Sequence, residues 1–112
     1  MPVRVAAAKA EYPRILVSPP GPAAKKIIAL DREWSSPSYI KEYPLVMAGG
    51  RGAMAEDVDG NRYIDWMAGI AVSATGYNHP KVVAAVQEAA GKFLHICGTD
   101  FYFDGMARLC ER

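Results

Sequence analysis

The sequence predicts a small α+β unit: an N-terminal helix, a small antiparallel sheet, then amphipathic helices. Three observations carry this. Val82, Val83, Val86, Ala90, Phe93 and Leu94 recur at a helical period behind Pro80. An Asp59-Gly60 pair separates two runs short enough to be strands. Residues 12–22 hold four prolines and a glycine, which bar a helix there and favour an extended arm.

Met1 to Ala10 reads as a loose tail, with Arg4 and Lys9 among small residues and no long apolar core of a secretion signal. The arm, taken as residues 1–22, has few internal contacts to make and must lie on something else. Pro22 suits the first turn of a helix. Ile27, Ile28, Leu30 and Trp34 give that helix one apolar stripe, and Ser35-Ser36-Pro37-Ser38 ends it. Leu45 to Met47 is a short strand and Gly49-Gly50-Arg51-Gly52 a turn. Residues 53–58 and 62–65 form a hairpin about Asp59-Gly60-Asn61, with positive φ expected at both central positions. Tyr63 and Trp66 are expected to pack on one side of it.

Met67 to Gly76 is small and apolar, which lets backbone approach another surface closely. Pro80 then takes the first position of the clearest helix, with His79 or Asn78 as its cap. That helix should bury its Val/Phe/Leu face and turn Lys81, Gln87, Glu88 and Lys92 to water. Gly98-Thr99-Asp100 breaks the pattern, and Asp104 starts a last helix through Met106, Ala107, Leu109 and Cys110. The sequence reaches Arg112 in mid-pattern, with neither a glycine stop nor a polar tail, and so reads as truncated.

Charge and composition exclude several function classes. With 13 basic and 12 acidic residues the net charge is +1, so there is no basic stripe for nucleic acid. The longest charge-free run, between Asp65 and Lys81, is too short and too broken by Gly69, Gly76 and Pro80 to span a membrane. Cys97 and Cys110 are too few for a disulfide framework, which fits a reduced, cytoplasmic setting.

Residue chemistry names no catalytic group. His79, His95, Cys97 and Cys110 lack the spacing of a zinc site, so no metal is expected. A Cys–His pair two residues apart does not define a dyad, because such partners meet in space. The glycine cluster at 49–52 is followed by a strand rather than a helix, unlike a phosphate loop. Asp59 has turn chemistry as its reason. Glu56, Asp57 and Asp65 are expected to be solvated.

The stretch Asp57-Val58-Asp59-Gly60-Asn61-Arg62-Tyr63-Ile64-Asp65-Trp66-Met67-Ala68-Gly69-Ile70-Ala71-Val72, followed by Thr75-Gly76-Tyr77-Asn78-His79-Pro80, resembles the class III aminotransferases. Their pattern is D-x-D/E-G-x-x-Y-x-D-F-x-x-G-I-A-V, then a small turn, G-H-x-H-P and an amphipathic helix. The arm Tyr12-Pro13-Arg14-Ile15, with Pro19-Pro20-Gly21-Pro22 and Lys25, and the segment Gly98 to Tyr102 are similar to one subgroup. That subgroup comprises acetylornithine, ornithine and 4-aminobutyrate aminotransferases and related amino-acid racemases.

The resemblance implies an N-terminal portion of an α/β enzyme of fold type I that carries pyridoxal 5'-phosphate and works as a homodimer on amino-acid and 2-oxo-acid substrates. Residues 23–112 would begin its small domain, ahead of the large cofactor-binding domain. The Schiff-base lysine, the aspartate on the pyridine nitrogen and the phosphate-binding turn would lie beyond Arg112. None of Lys25, Lys26, Lys41, Lys81 and Lys92 takes the catalytic position. By place in the motif, Gly69, Ile70 and Val72 would line the substrate side of the pocket, where close packing is the plainer alternative. Ile70 would tune substrate choice, being aliphatic where some ornithine-type relatives place a tyrosine. Tyr43 would stand at the pocket entrance, and Thr99 and Asp100 near the active site at the subunit boundary. A racemase on the same cofactor and a non-catalytic interaction module are the alternatives.

Overall fold

The computed structural model describes residues 13–112, so the tail and the first part of the arm lie outside the described residues. The chain divides into two compact units, one ending at His79 and one running from Pro80 to Arg112.

In the first unit, helix α1 spans Pro22–Trp34, with Gly21 as N-cap, Pro22 at the first turn and Ser35 as C-cap. The proline lacks an N–H that would be unpaired there anyway. Strands β1 (Met47–Arg51), β2 (Met54–Asp57) and β3 (Arg62–Ile64) form an antiparallel sheet in the order β1-β2-β3. Gly49 pairs with Glu56 and Arg51 with Met54, after an irregularity between Met47 and Gly49. Ala55 pairs with Tyr63 and Glu56 with Arg62, and the Glu56–Arg62 pair adds an ion pair of 2.8 Å. Arg14 extends the sheet beyond β3 by exchanging two backbone hydrogen bonds with Arg62. The prolines that keep the arm out of a helix thus leave it extended along its own unit.

The glycine cluster is a correction. Gly49, Gly50 and Arg51 belong to β1, and the chain turns at Gly52, whose φ is +59°. Glycine serves the strand at Gly50 because a Cβ there would stand 2.6 Å from the Met54 carbonyl oxygen and 2.8 Å from the Tyr77 ring. The β2–β3 turn also differs from the expectation: Gly60 has φ +83°, whereas Asp59 is not at positive φ. The Gly60 N–H donates to the Asp57 carbonyl at 3.1 Å, so the loop runs over residues 58–61. Of the two aromatics expected on one side, Tyr63 is half-buried, whereas Trp66 is 90% exposed.

The second unit holds α3 (Pro80–Ala90) and α4 (Asp104–Glu111). Helix α3 starts at Pro80 as expected but stops at Ala90, since Gly91 follows, and leaves Phe93 and Leu94 outside. The expected buried face is bare: Val82, Val83 and Val86 are exposed, and Leu94 is 92% exposed. A helical period sets which residues share a face, and a second surface must exist for that face to be buried.

Candidate functional site

Around the β2–β3 turn, polar side chains do the work a larger apolar core would do elsewhere. Asn61 is fully buried. Its Oδ1 accepts the backbone N–H groups of Leu16 at 2.7 Å and Val17 at 2.9 Å, and its Nδ2 donates to Asp57 Oδ2 at 2.8 Å. Asp57 also accepts the backbone N–H groups of Asp59 and Asn61 and the Tyr63 hydroxyl, the last at 2.7 Å. Asp57, expected in solvent, is therefore buried. Burial pushes its carboxyl upward, and the hydrogen bonds from Tyr63, Asn61 and the two backbone groups outweigh that and hold it below the usual aspartate value. Burial and the Asp57 acceptor raise Tyr63.

Asp59 does more than shape its turn. Its carboxylate accepts the N–H groups of Ala23 at 2.8 Å and Ala24 at 3.0 Å, capping α1 from a distant part of the chain. Gly21 makes room for it, since a Cβ there would sit 2.4 Å from Asp59 Cγ.

The second construction carries three of the sequence-predicted site residues. Element α2 (Ala68–Ala71) is a left-handed helical turn, with φ of +47° at Ala68, +63° at Gly69, +59° at Ile70 and +63° at Ala71. Val72 returns to right-handed geometry, and its N–H donates back to the Ala68 carbonyl. Left-handed geometry costs roughly 1–2 kcal/mol for each non-glycine residue, and a β-branched side chain is among the least suited to it. Runs of such geometry persist where neighbouring groups fix them. Here Asp65 Oδ1 accepts Met67 N–H at 2.8 Å and Ala68 N–H at 3.1 Å, while Oδ2 accepts the Tyr77 hydroxyl. The Tyr77 hydroxyl and these backbone donors hold the Asp65 carboxyl below its usual value, and Asp65 in turn raises Tyr77. Tyr77 is itself anchored by paired backbone hydrogen bonds with Gly52, at 3.0 and 2.8 Å.

Gly69, Ile70 and Val72 thus share one exposed turn, with Ile70 84% and Val72 82% exposed. Tyr43 lies exposed on the connection between α1 and β1 and shares no hydrogen bond with that turn among the described residues. Thr99 and Asp100 belong to the second unit, in a turn where the N–H groups of Asp100 and Phe101 donate to the Cys97 carbonyl. Thr99 Oγ1 lies 3.1 Å from Cys97 Sγ. Asn78 Nδ2 donates to the Gly50 carbonyl at 2.8 Å, and His79 Nδ1 is buried without a partner among the described residues. No group of three His, Cys, Asp or Glu residues could hold a metal ion among the described residues. Sequence reasoning missed the roles of Asp57, Asp59, Asn61, Asp65 and Tyr77. The alternation Asp57, Asp59, Asn61, Tyr63, Asp65 was the available signal.

Comparison with known proteins matches residues 36–112 to the family model for class III aminotransferases. An alanine/serine racemase from Pyrococcus horikoshii is 48% identical over 86 residues, which is 76% of this chain and 18% of that protein. An acetylornithine aminotransferase from Methanothermobacter thermautotrophicus is 39% identical over 64% of this chain and 18% of that protein. Among solved structures, the acetylornithine aminotransferase of Elizabethkingia anophelis superposes with a TM-score of 0.70 at 27% identity, covering 76% of this chain and 22% of that one. The chain therefore spans about a fifth of the length of the relatives it matches. A match over residues 36–112, with the same fold in the solved structures, makes this chain a member of the class III aminotransferase family.

Proposed function

We propose that this chain is part of a pyridoxal-phosphate-dependent aminotransferase that moves an amino group from an amino acid of the acetylornithine, ornithine or 4-aminobutyrate type to a 2-oxo acid. The observation that carries the reading is the left-handed turn of Ala68–Ala71, built at a cost within a segment that matches the family. Strained backbone held in place by several donors and acceptors is concentrated at functional sites. In this reading Gly69, Ile70 and Val72 form a wall on the substrate side, Tyr43 stands at the entrance, and Thr99 and Asp100 lie near a boundary between two subunits of a homodimer. The free, exposed Cys97 and Cys110 suit a cytoplasmic protein. No helix among the described residues is long and apolar enough to cross a membrane.

Pyridoxal phosphate supplies the electron sink of such reactions. The described residues do not fit the role of holding it. Lys25, Lys26, Lys41, Lys81 and Lys92 are all exposed. Helix α3 opens on Asn78-His79-Pro80 and α4 on Phe101-Tyr102-Phe103, neither of them a glycine/serine/threonine-rich phosphate turn, and the α1 N-terminus is filled by Asp59. What these residues contribute is substrate placement and exclusion of water.

The test is an assay of the complete protein with pyridoxal phosphate, a panel of amino donors and 2-oxoglutarate. Donor-dependent glutamate formation is the expected result, and its absence across the panel would overturn the reading. The similarity to an alanine/serine racemase favours a second reading, amino-acid racemisation. Chiral chromatography after incubation without any 2-oxo acid separates the two, because a racemase inverts its substrate with no acceptor present.

A further inference from the structure

We infer that Tyr77 and Asp65 form a latch that positions the Gly69–Val72 wall, so that Tyr77 is a specificity-determining positioning residue. This rests on the reading that the turn faces the amino-acid substrate. Ile70 and Val72 are almost wholly exposed, so side-chain burial does not keep this turn left-handed. Met67, which leads into it, is also exposed. Beside the turn's own backbone hydrogen bonds, from Ala71 N–H to the Met67 carbonyl at 3.0 Å and from Ser73 N–H to the Ala68 carbonyl at 2.8 Å, one carboxylate holds it. Asp65 grips the turn's entry through the Met67 and Ala68 N–H groups and is gripped in return by the Tyr77 hydroxyl.

Tyr77 stands on firm ground. Its backbone is paired with Gly52 in both directions, and its ring lies where a Cβ on Gly50 would collide with it. Asn78 ties the next residue to the Gly50 carbonyl. The strained turn is therefore tied to the Gly50–Gly52 stretch through Asp65 and Tyr77, whose hydroxyl fixes the carboxylate's orientation, while the Asp65 N–H itself donates to the Ala53 carbonyl at 2.8 Å. Tyr77 touches no substrate in this scheme. It acts through Asp65 on where Ile70 and Val72 stand.

Tyr77→Phe in the complete protein removes only the hydroxyl. Hydrogen exchange at the amides of Met67 and Ala68 should quicken by about tenfold, the loss expected for one charge-assisted hydrogen bond. KM for the preferred amino donor should rise several-fold with kcat changed less, and the preference between short and long donors should narrow. Asp65→Asn should give the same pattern, because any hydrogen bond its neutral amide keeps with the tyrosine lacks the charge assistance of the carboxylate. The double variant should be no worse than either single one, the mark of two residues acting as a unit.

Unchanged exchange at Met67 and Ala68 in a folded Tyr77→Phe protein would overturn the latch. So would faster exchange with donor preference intact, or failure of both single variants to fold. A wild-type protein with no transamination or racemisation overturns the functional reading instead, and the exchange measurement still decides whether the latch exists.

Discussion

Asn61 and Asp57 clasp one another across the β2–β3 turn: the asparagine donates to the aspartate through both its side chain and its backbone, each at 2.8 Å. The free face of the asparagine amide then catches the arm at Leu16 and Val17. Replacing Asn61 with alanine would leave two part-buried arm N–H groups without a partner and Asp57 Oδ2 with the Tyr63 hydroxyl alone. The expected loss is about 2–4 kcal/mol, since each buried polar group left unpaired costs roughly 1–3 kcal/mol and some will find water. A urea titration followed by tryptophan fluorescence measures it. A midpoint shift worth under about 0.5 kcal/mol, the range of ordinary surface substitutions, would contradict the clasp.

The same clasp predicts a pH dependence with a definite sign. Asp57 is held below the ordinary aspartate value of 3.8 in the folded protein. A depressed carboxyl contributes stability that is fully present above the unfolded-state value and is lost as pH falls through the folded one. Stability should therefore decline as the solution is acidified below about pH 4. Asp31, Asp65 and Glu88 are also held low and add to the slope. Asp57→Asn should be less stable at neutral pH and show a shallower acid decline than the native protein. Parallel acid limbs in melting curves would show that Asp57 does not carry it.

Asp59 and Gly21 should behave as a coupled pair. Asp59→Ala removes the cap of α1 and should cost about 1 kcal/mol. Gly21→Ala forces a methyl group against the Asp59 carboxylate and should cost at least as much. In the Asp59→Ala background the obstacle is gone, so the added cost of Gly21→Ala should shrink sharply. Simple additivity in a double-mutant cycle of melting temperatures would sink this account.

The second unit leads to a prediction about association. Val82, Val83, Val86, Phe93 and Leu94 are exposed, and Phe101, Met106 and Leu109 add to the apolar surface. Exposed apolar surface of this kind drives proteins together. The 112-residue chain expressed alone should elute from size-exclusion chromatography as mixed assemblies, and changing Val86 and Leu94 to glutamate should reduce them. A clean monomer from the unaltered chain would contradict the prediction.

How much of this was legible in the sequence depends on the range of the interactions. Pro22, Pro80 and the Asp59-Gly60 pair act within a few residues of themselves, and the helix starts and the hairpin stand where they point. The arm and helix groups that Asp59 and Asn61 hold lie 35 to 45 residues away, so nothing nearby distinguished a helix cap or an arm anchor from a solvated turn. Gly50 reads as a turn because one of its two reasons for being glycine, the Tyr77 ring, comes much later in the chain and the other, the Met54 carbonyl, faces it only once the strands pair. The left-handed turn was hidden for another cause. Ala68, Ile70 and Ala71 have no preference for positive φ, and the carboxylate of Asp65 and the anchored Tyr77, together with the turn's own backbone hydrogen bonds, make that backbone hold. The resemblance puts Gly69, Ile70 and Val72 at the substrate side by position in the motif alone, and the left-handed backbone of the turn they share could not be read from that position.

Ile70 is where packing and function make opposite forecasts. If it is there to pack, shortening it costs stability. If it is there to face substrate, removing its side chain relieves strain, because Ile70 sits at φ +59° and is 84% exposed. Glycine adopts that region freely, and against this stands the greater entropy of a glycine in the unfolded chain. The balance should make Ile70→Gly neutral or more stable by up to about 1 kcal/mol. In the complete protein the same change should alter relative kcat/KM among amino donors. Ile70→Tyr should alter it in another direction, by narrowing the space instead of widening it. Thermal melts and donor competition assays on these two variants measure both quantities. A destabilised Ile70→Gly with unchanged donor preference would return Ile70 to a packing role.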